Sequence, residues 1–279
     1  MNPQALSPDV KSLEQAARKL RRQILRMIIT AGSGHCGGSL SAIDLLTYLY
    51  FHALRIRPAE PRWPDRDRFL LSKGHCAPAL YAVLAARGFF PEDKLWTLRE
   101  INSSLQGHPD MKKTPGLDMT TGSLGQGFSC AVGMALAGKM DRRDYRVYVM
   151  AGDSEVQTGL LWEAVMMARQ HRLDNLIAII DNNKLQSDGV TEDIVDIEPL
   201  AEKWQSFGWE VRRIDGHNFH QIHAAFTESQ SPNGQPKVIV ADTVKGKGVS
   251  FMENVVSWHS GAPNAEQARV ALAELTADL

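Results

Sequence analysis

From Ser12 to Thr30 apolar residues recur every three or four positions, with Leu13, Ala17, Leu20, Ile24, Met27 and Ile28 on one face and arginines opposite. That spacing predicts an amphipathic helix. Four glycines follow within Gly32-Ser33-Gly34-His35-Cys36-Gly37-Gly38, which reads as a shaped loop before a second apolar helix from Ser41 to about Phe51. Pro58 to Asp67 holds three prolines and reads as a surface connection, followed by a short strand, Arg68 to Leu71, and a helix through Arg87. Turn formers dominate Asn102 to Gly127, a stretch too long for a structureless loop in a compact domain unless it has a function. A small-residue helix spans Gln126 to Met140. Then the period changes: Arg146–Met150, Leu176–Ile180, Trp209–Ile214 and Val238–Ala241 are short apolar runs, with helical segments at Leu160–His171 and Phe219–Ser229. Alternating buried strands and helices predict an α/β fold with a parallel sheet flanked by helices. No composition shift marks an internal boundary, so residues 1–279 read as one domain with a helical N-terminal segment over about 1–66.

The 279 residues are 43% hydrophobic and 23% charged, enough for a sizeable core. Thirty-one basic residues balance thirty-two acidic ones, a net charge of −1 that provides no general field for nucleic acid or an anionic membrane. Three cysteines, Cys36, Cys76 and Cys130, make no disulfide framework. No signal peptide or membrane-length apolar run is visible, so the expected location is the cytoplasm.

In an open parallel sheet, ligands lie beyond the carboxyl ends of the strands. There the chain carries Ala151-Gly152-Asp153-Ser154-Glu155 and Asp181-Asn182-Asn183-Lys184-Leu185. Taken singly, Asp153 and Asn183 are as readily helix caps or turn residues. Their separation of 183 − 153 = 30 positions is one βαβ unit. A carboxylate, an amide oxygen and a backbone carbonyl on neighbouring strand ends suit a hard cation, with phosphates completing its shell.

Gly-Asp-x with Asn-Asn thirty residues later resembles the thiamine-diphosphate fingerprint, and nearly the whole chain resembles the N-terminal, diphosphate-binding half of transketolase. The resemblance is carried further by Ser33-Gly34-His35 with Gly37-Gly38-Ser39, by Leu71-Ser72-Lys73-Gly74-His75, by Gln106-Gly107-His108-Pro109, and by Thr120-Thr121-Gly122 through Gly127. It implies a thiamine-diphosphate-binding fold in which Asp153, Asn183 and the Leu185 carbonyl hold Mg²⁺ or Ca²⁺. It also implies that His75 and the backbone of Gly152, Asp153, Ser154 and Glu155 meet the diphosphate, and that Gly122 and Leu124 touch the aminopyrimidine. Lys245, after the last strand, is either a source of positive charge there or a solvated lysine.

By the same resemblance the reaction moves a two-carbon ketol unit from a ketose phosphate to an aldose phosphate. His35 and His259 shuttle protons, His108 orients the donor carbonyl, and His75 bridges phosphate and reaction centre; imidazole is suited to this near neutral pH. The Gly-His-Cys triplets at Gly34 and Gly74 invite zinc, but adjacent residues make poor paired ligands. The pyrimidine-binding domain is absent from the pattern. The expected partner is therefore a separately encoded C-terminal subunit in an α2β2 assembly, with a specialised sugar or sulfosugar substrate, or a regulatory role, as alternatives. The chain departs from the family pattern at Ser154 (glycine), Thr158 (a glutamate linking two active sites), Ser187 (aliphatic), and at Cys36 and Cys76.

Overall fold

The computed structural model describes residues 7–276; the first six positions of the expected helical N-terminal segment lie outside them. Helix α1 (Val10–Ala31) starts where the Asp9 side chain accepts from the Ser12 amide and ends at Gly32, whose φ of 64° closes it in the left-handed region. Then follow α2 (Cys36–Tyr48), β1 (Arg68–Leu71), α3 (Ala77–Ala86), α4 (Gln126–Met140), β2 (Val147–Gly152), α5 (Gly159–Gln170) and β3 (Leu176–Asn182). The rest comprises α6 (Thr191–Ile194), α7 (Leu200–Ser206), β4 (Glu210–Asp215), α8 (Phe219–Glu228), β5 (Lys237–Asp242) and α9 (Ala265–Glu274).

Among the described residues the strands form one sheet in the order β1-β2-β3-β5-β4, and every neighbouring pair is parallel. Side-chain alternation divides its faces. Phe69, Leu71, Tyr148, Met150, Ile177, Ile179, Ile239 and Ala241 pack with α1, α2, α3 and α8. Leu70, Val147, Val149, Ala151, Leu176, Ala178, Ile180, Val238 and Val240 pack with α4, α5 and α7. Period-two burial on both faces is why these strands read as unbroken apolar runs.

The expected strands and long helices are present, with ends displaced by one or two residues. The glycine run differs. It is not a loop reaching Ser41, because α2 already begins at Cys36 and takes Gly37 and Gly38 into its first turn. A Cβ on Gly37 would lie 2.8 Å from Lys245 Cγ and 2.9 Å from the Trp258 carbonyl, and one on Gly38 would lie 2.7 Å from Cys76 Sγ. These glycines allow close packing of a helix, a need that resembles loop freedom when only the residues are read. Helices α6, α7 and α9 have no counterpart in the apolar pattern; α9 opens on an Asn264–Gln267 capping box.

Arg21 of α1 and Asp44 of α2 form a buried bidentate pair at 2.9 and 2.7 Å. Burial alone would raise the Asp44 carboxyl, but the Arg21 guanidinium overcomes it and holds the group at about 2, against an ordinary 3.8. Because the folded value is depressed, this stabilisation is in force above pH about 4 and disappears as pH falls towards 2. Asp44→Ala, which strands a buried guanidinium, is expected to cost about 3–5 kcal/mol at neutral pH. Urea unfolding should also show the loss shrinking as pH is lowered through that window.

Candidate active site

At the carboxyl edge of the sheet, β1, β2, β3 and β5 deliver Lys73, Asp153, Asp181 with Asn183, and Lys245. Lys73 and Asp181 form a buried ion pair. Asp181 also accepts from the hydroxyls of Ser41, at 2.6 Å, and Thr243. Burial opposes ionisation of Asp181, yet the Lys73 ammonium keeps it below the ordinary carboxylate value. Asp153 is raised to about 6 by burial and then by the neighbouring Asp181 charge. Its oxygens accept from the amides of Ser154 (2.7 Å) and Lys184 (2.6 Å).

These groups border a cavity of about 460 Å³. Of the residues expected at the site, His35, His75, Gly122, Leu124, Gly152, Asp153, Ser154, Glu155, Asn183, Lys245 and His259 line it. His108 does not line it; its ring centroid is 6.4 Å from that of His35 and its Cδ2 3.1 Å from where a Gly122 Cβ would be. Leu185 contributes its carbonyl, which accepts from Lys245 Nζ at 2.9 Å.

The histidines converge from separate segments. The His35 ring lies 5.2 Å from His75 and 5.5 Å from His259, and His75 lies 5.3 Å from His259. Burial, then the Arg99 charge, lowers His35 to about 4; burial, then Lys245, does the same to His259. Burial and Lys73 hold His75 well below its ordinary value, and burial with Arg99 lowers His108. At neutral pH all four are uncharged, each with one nitrogen to donate and one to accept. Lys245 Nζ donates to His259 Nδ1 at 2.9 Å, which leaves the proton of His259 on Nε2, 3.3 Å from Ser187 Oγ.

The oxygen donors fit a hard cation. Asp153 is a carboxylate whose charge burial and Asp181 oppose, Asn183 Oδ1 lies in the turn after β3, 3.2 Å from the Leu185 amide, and the Leu185 carbonyl already faces an ammonium. The zinc arrangement has no comparable basis. The Cys36 and Cys76 thiols are pushed up to about 12 and about 11 by burial, and among the described residues no three His, Cys, Asp or Glu side chains gather as a metal cluster. The amides of Gly152, Asp153 and Ser154 already have partners within the protein: Glu155 Oε2, the Asp181 carbonyl and Asp153 Oδ1. Glu155 is a buried carboxylate that also accepts from Ser72 Oγ and the Gly125 amide, tying the β1 end to the loop before α4.

Residue patterns assign no role to Lys73, Asp181, Ser41, Thr243, Gln157 or Gln186. For Asp181 a signal exists: a carboxylate ending an apolar strand, immediately before Asn182-Asn183.

Over residues 12–276 the chain matches the family model described as transketolase, thiamine diphosphate binding domain. The chain belongs to the transketolase family. It is 48% identical over 263 residues to the 6-deoxy-6-sulfo-D-fructose transketolase subunit of Clostridium sp. (strain MSTE9), covering 94% of this chain and 96% of that one. It is 43% identical over 267 residues to an apulose-4-phosphate transketolase subunit of Phocaeicola vulgatus, covering 96% and 95%. The transketolase of Campylobacter jejuni superposes with a TM-score of 0.91 at 30% identity, over 96% of this chain and 43% of that chain. The chain thus spans less than half the length of that transketolase, and its parallel sheet with flanking helices is the thiamine-diphosphate-binding fold of the family.

Within this transketolase-family site, Lys73→Met should leave Asp181 buried without its counter-charge and cost about 3–5 kcal/mol. Chemical denaturation measures it, and a loss below about 1 kcal/mol would show that the pair contributes little.

Proposed function

We propose that this chain is the diphosphate-binding subunit of a two-part transketolase that transfers a two-carbon ketol unit between sugars. The observation that carries the reading is the convergence of three neutral histidines, His35, His75 and His259, on a cavity that Asp153 and Asn183 also line. Bound thiamine diphosphate supplies the carbanion chemistry. Asp153, Asn183 and the Leu185 carbonyl would hold Mg²⁺ or Ca²⁺, while Lys245 and His75 would face the diphosphate and Gly122 and Leu124 would border the aminopyrimidine. His35 and His259 give and take protons at the reacting sugar oxygens, and His108 orients the donor.

The partner is a separately encoded chain carrying the pyrimidine-binding domain, in an α2β2 assembly. Two relatives matched nearly end to end are named as transketolase subunits. In addition, the large apolar side chains Leu124, Leu160, Met166 and Met167 stand exposed on and beside α5, where a second chain can cover them. The substrate class is a ketose with an anionic tail. Those relatives' names carry one sulfonated and one phosphorylated sugar, which supports a specialised substrate over the usual pentose phosphates.

Titration calorimetry of thiamine diphosphate with Mg²⁺ should give binding that the partner strengthens and that Asp153→Ala weakens by roughly tenfold or more. Strong ketol transfer by this chain alone would sink the two-part reading. In the assembled complex, His35→Ala should lower kcat by about 10²–10⁴, with cofactor affinity changed far less.

A further inference from the structure

His217 lies in the turn between β4 and α8 and is not among the residues that line the cofactor cavity. Its Nε2 accepts the Val244 backbone N–H at 2.8 Å, so that nitrogen carries the lone pair. The ring proton is therefore on Nδ1, which donates to Asp44 Oδ2 at 2.7 Å. Asp44 is itself fixed by both terminal nitrogens of Arg21, and Arg21 Nε donates to the Lys247 carbonyl at 3.1 Å. The segment Val244-Lys245-Gly246-Lys247 is thus gripped at both ends by one buried charge cluster. Between the grips, Lys245 Nζ reaches the carbonyls of Leu185 (2.9 Å) and Gln186 (3.0 Å) and the His259 ring.

We infer that His217, oriented by Asp44, is a positioning residue that sets the Lys245 ammonium in the cofactor cavity. Lys245 is buried, and its Nζ is fixed by two carbonyls and an imidazole. The backbone on the other side of Lys245 is constrained at Gly246. It turns at φ 82°, donates to the Gly37 carbonyl at 3.0 Å, and has the Met252 carbonyl 2.4 Å from where a Cβ would be. With Gly246 held on its far side, Lys245 takes up a shift at Val244. The effect on cofactor affinity rests on the reading that the cavity takes thiamine diphosphate; the placement of Lys245 does not.

Two conservative variants separate a specific hydrogen bond from general packing. The amide of His217→Gln reaches as far as Nε2 and can accept from Val244, whereas that of His217→Asn matches only Nδ1 and falls short. Lys245 is followed by acetylation with acetic anhydride and peptide mass spectrometry, with half-exposed Lys247 as the internal reference. Thiamine diphosphate affinity with Mg²⁺ is followed by calorimetry. In the asparagine variant, acetylation of Lys245 should rise, and affinity should fall, by roughly tenfold, the size typical of losing a group that supports a ligand. In the glutamine variant both should stay close to the native chain. Unchanged acetylation in the asparagine variant, or a glutamine variant as impaired as the asparagine one, would overturn the proposal. If acetylation responds as stated while the native chain itself takes up no thiamine diphosphate, the functional reading fails and the positioning of Lys245 stands.

Discussion

The buried ion pair between Lys73 and Asp181 is the constraint on which the rest of the site depends. A charge taken out of water is tolerated only where its partners are complete. Asp181 draws those partners from three other places: Lys73 after β1, Ser41 from α2 and Thr243 after β5. Lys73 adds a donation to the Gly38 carbonyl at 3.3 Å. Four segments far apart in sequence are therefore held in register at one edge of the sheet by the need to satisfy a single carboxylate. The pair also distributes charge unevenly. Asp153, another carboxylate buried at that edge, titrates at about 6, raised first by its own burial and then by the Asp181 charge, with Lys73 working against both. The Asp153 oxygens, held by the amides of Ser154 and Lys184, are of the type that suits a hard cation.

Crowding three imidazole rings within 5.5 Å of one another has a related condition. As cations they would repel, and each would lose hydration in a half-buried setting. Burial and the fixed charges of Lys73, Lys245 and Arg99 all push in the same direction, towards the neutral ring. The positive potential that suits an anionic diphosphate is thus also what keeps the histidines available as proton donors and acceptors. In this crevice the positive charge resides on the lysines, and the imidazoles are left as neutral donors and acceptors.

Much of this is legible in the residues. The sheet strands are visible because burial on both faces leaves short unbroken apolar runs, and Asp153 and Asn183 are visible because their spacing matches one βαβ unit. His35 and His75 are marked by glycines that close packing requires, whereas Gly261 near His259 has open space where a Cβ would be and turns at φ 116°. What stays hidden depends on contacts distant in sequence. Gly37 and Gly38 read as loop because the side chains of Lys245 and Cys76 that crowd them come from elsewhere. Lys73 stands inside a recognised motif, but its partner lies 108 positions away. Glu155 reads as one more backbone contact, whereas its carboxylate closes the turn on Gly152 and Gly125.

Thr158 shows how a departure from the family pattern is accommodated. It caps α5, and its hydroxyl donates back to the Glu155 carbonyl at 2.9 Å while lying 2.8 Å from where a Cβ on Gly125 would be. The side chain is thus turned into its own loop and packed there. A threonine hydroxyl holds its proton throughout the physiological range, so it does not replace a carboxylate as a link between two sites. After burial, the charges that lower His35, His75 and His259 include those of Arg99, Lys73 and Lys245, all groups of this chain. The neutral state of the three rings thus rests on burial and on lysine and arginine charges of this chain, and not on the Thr158 hydroxyl.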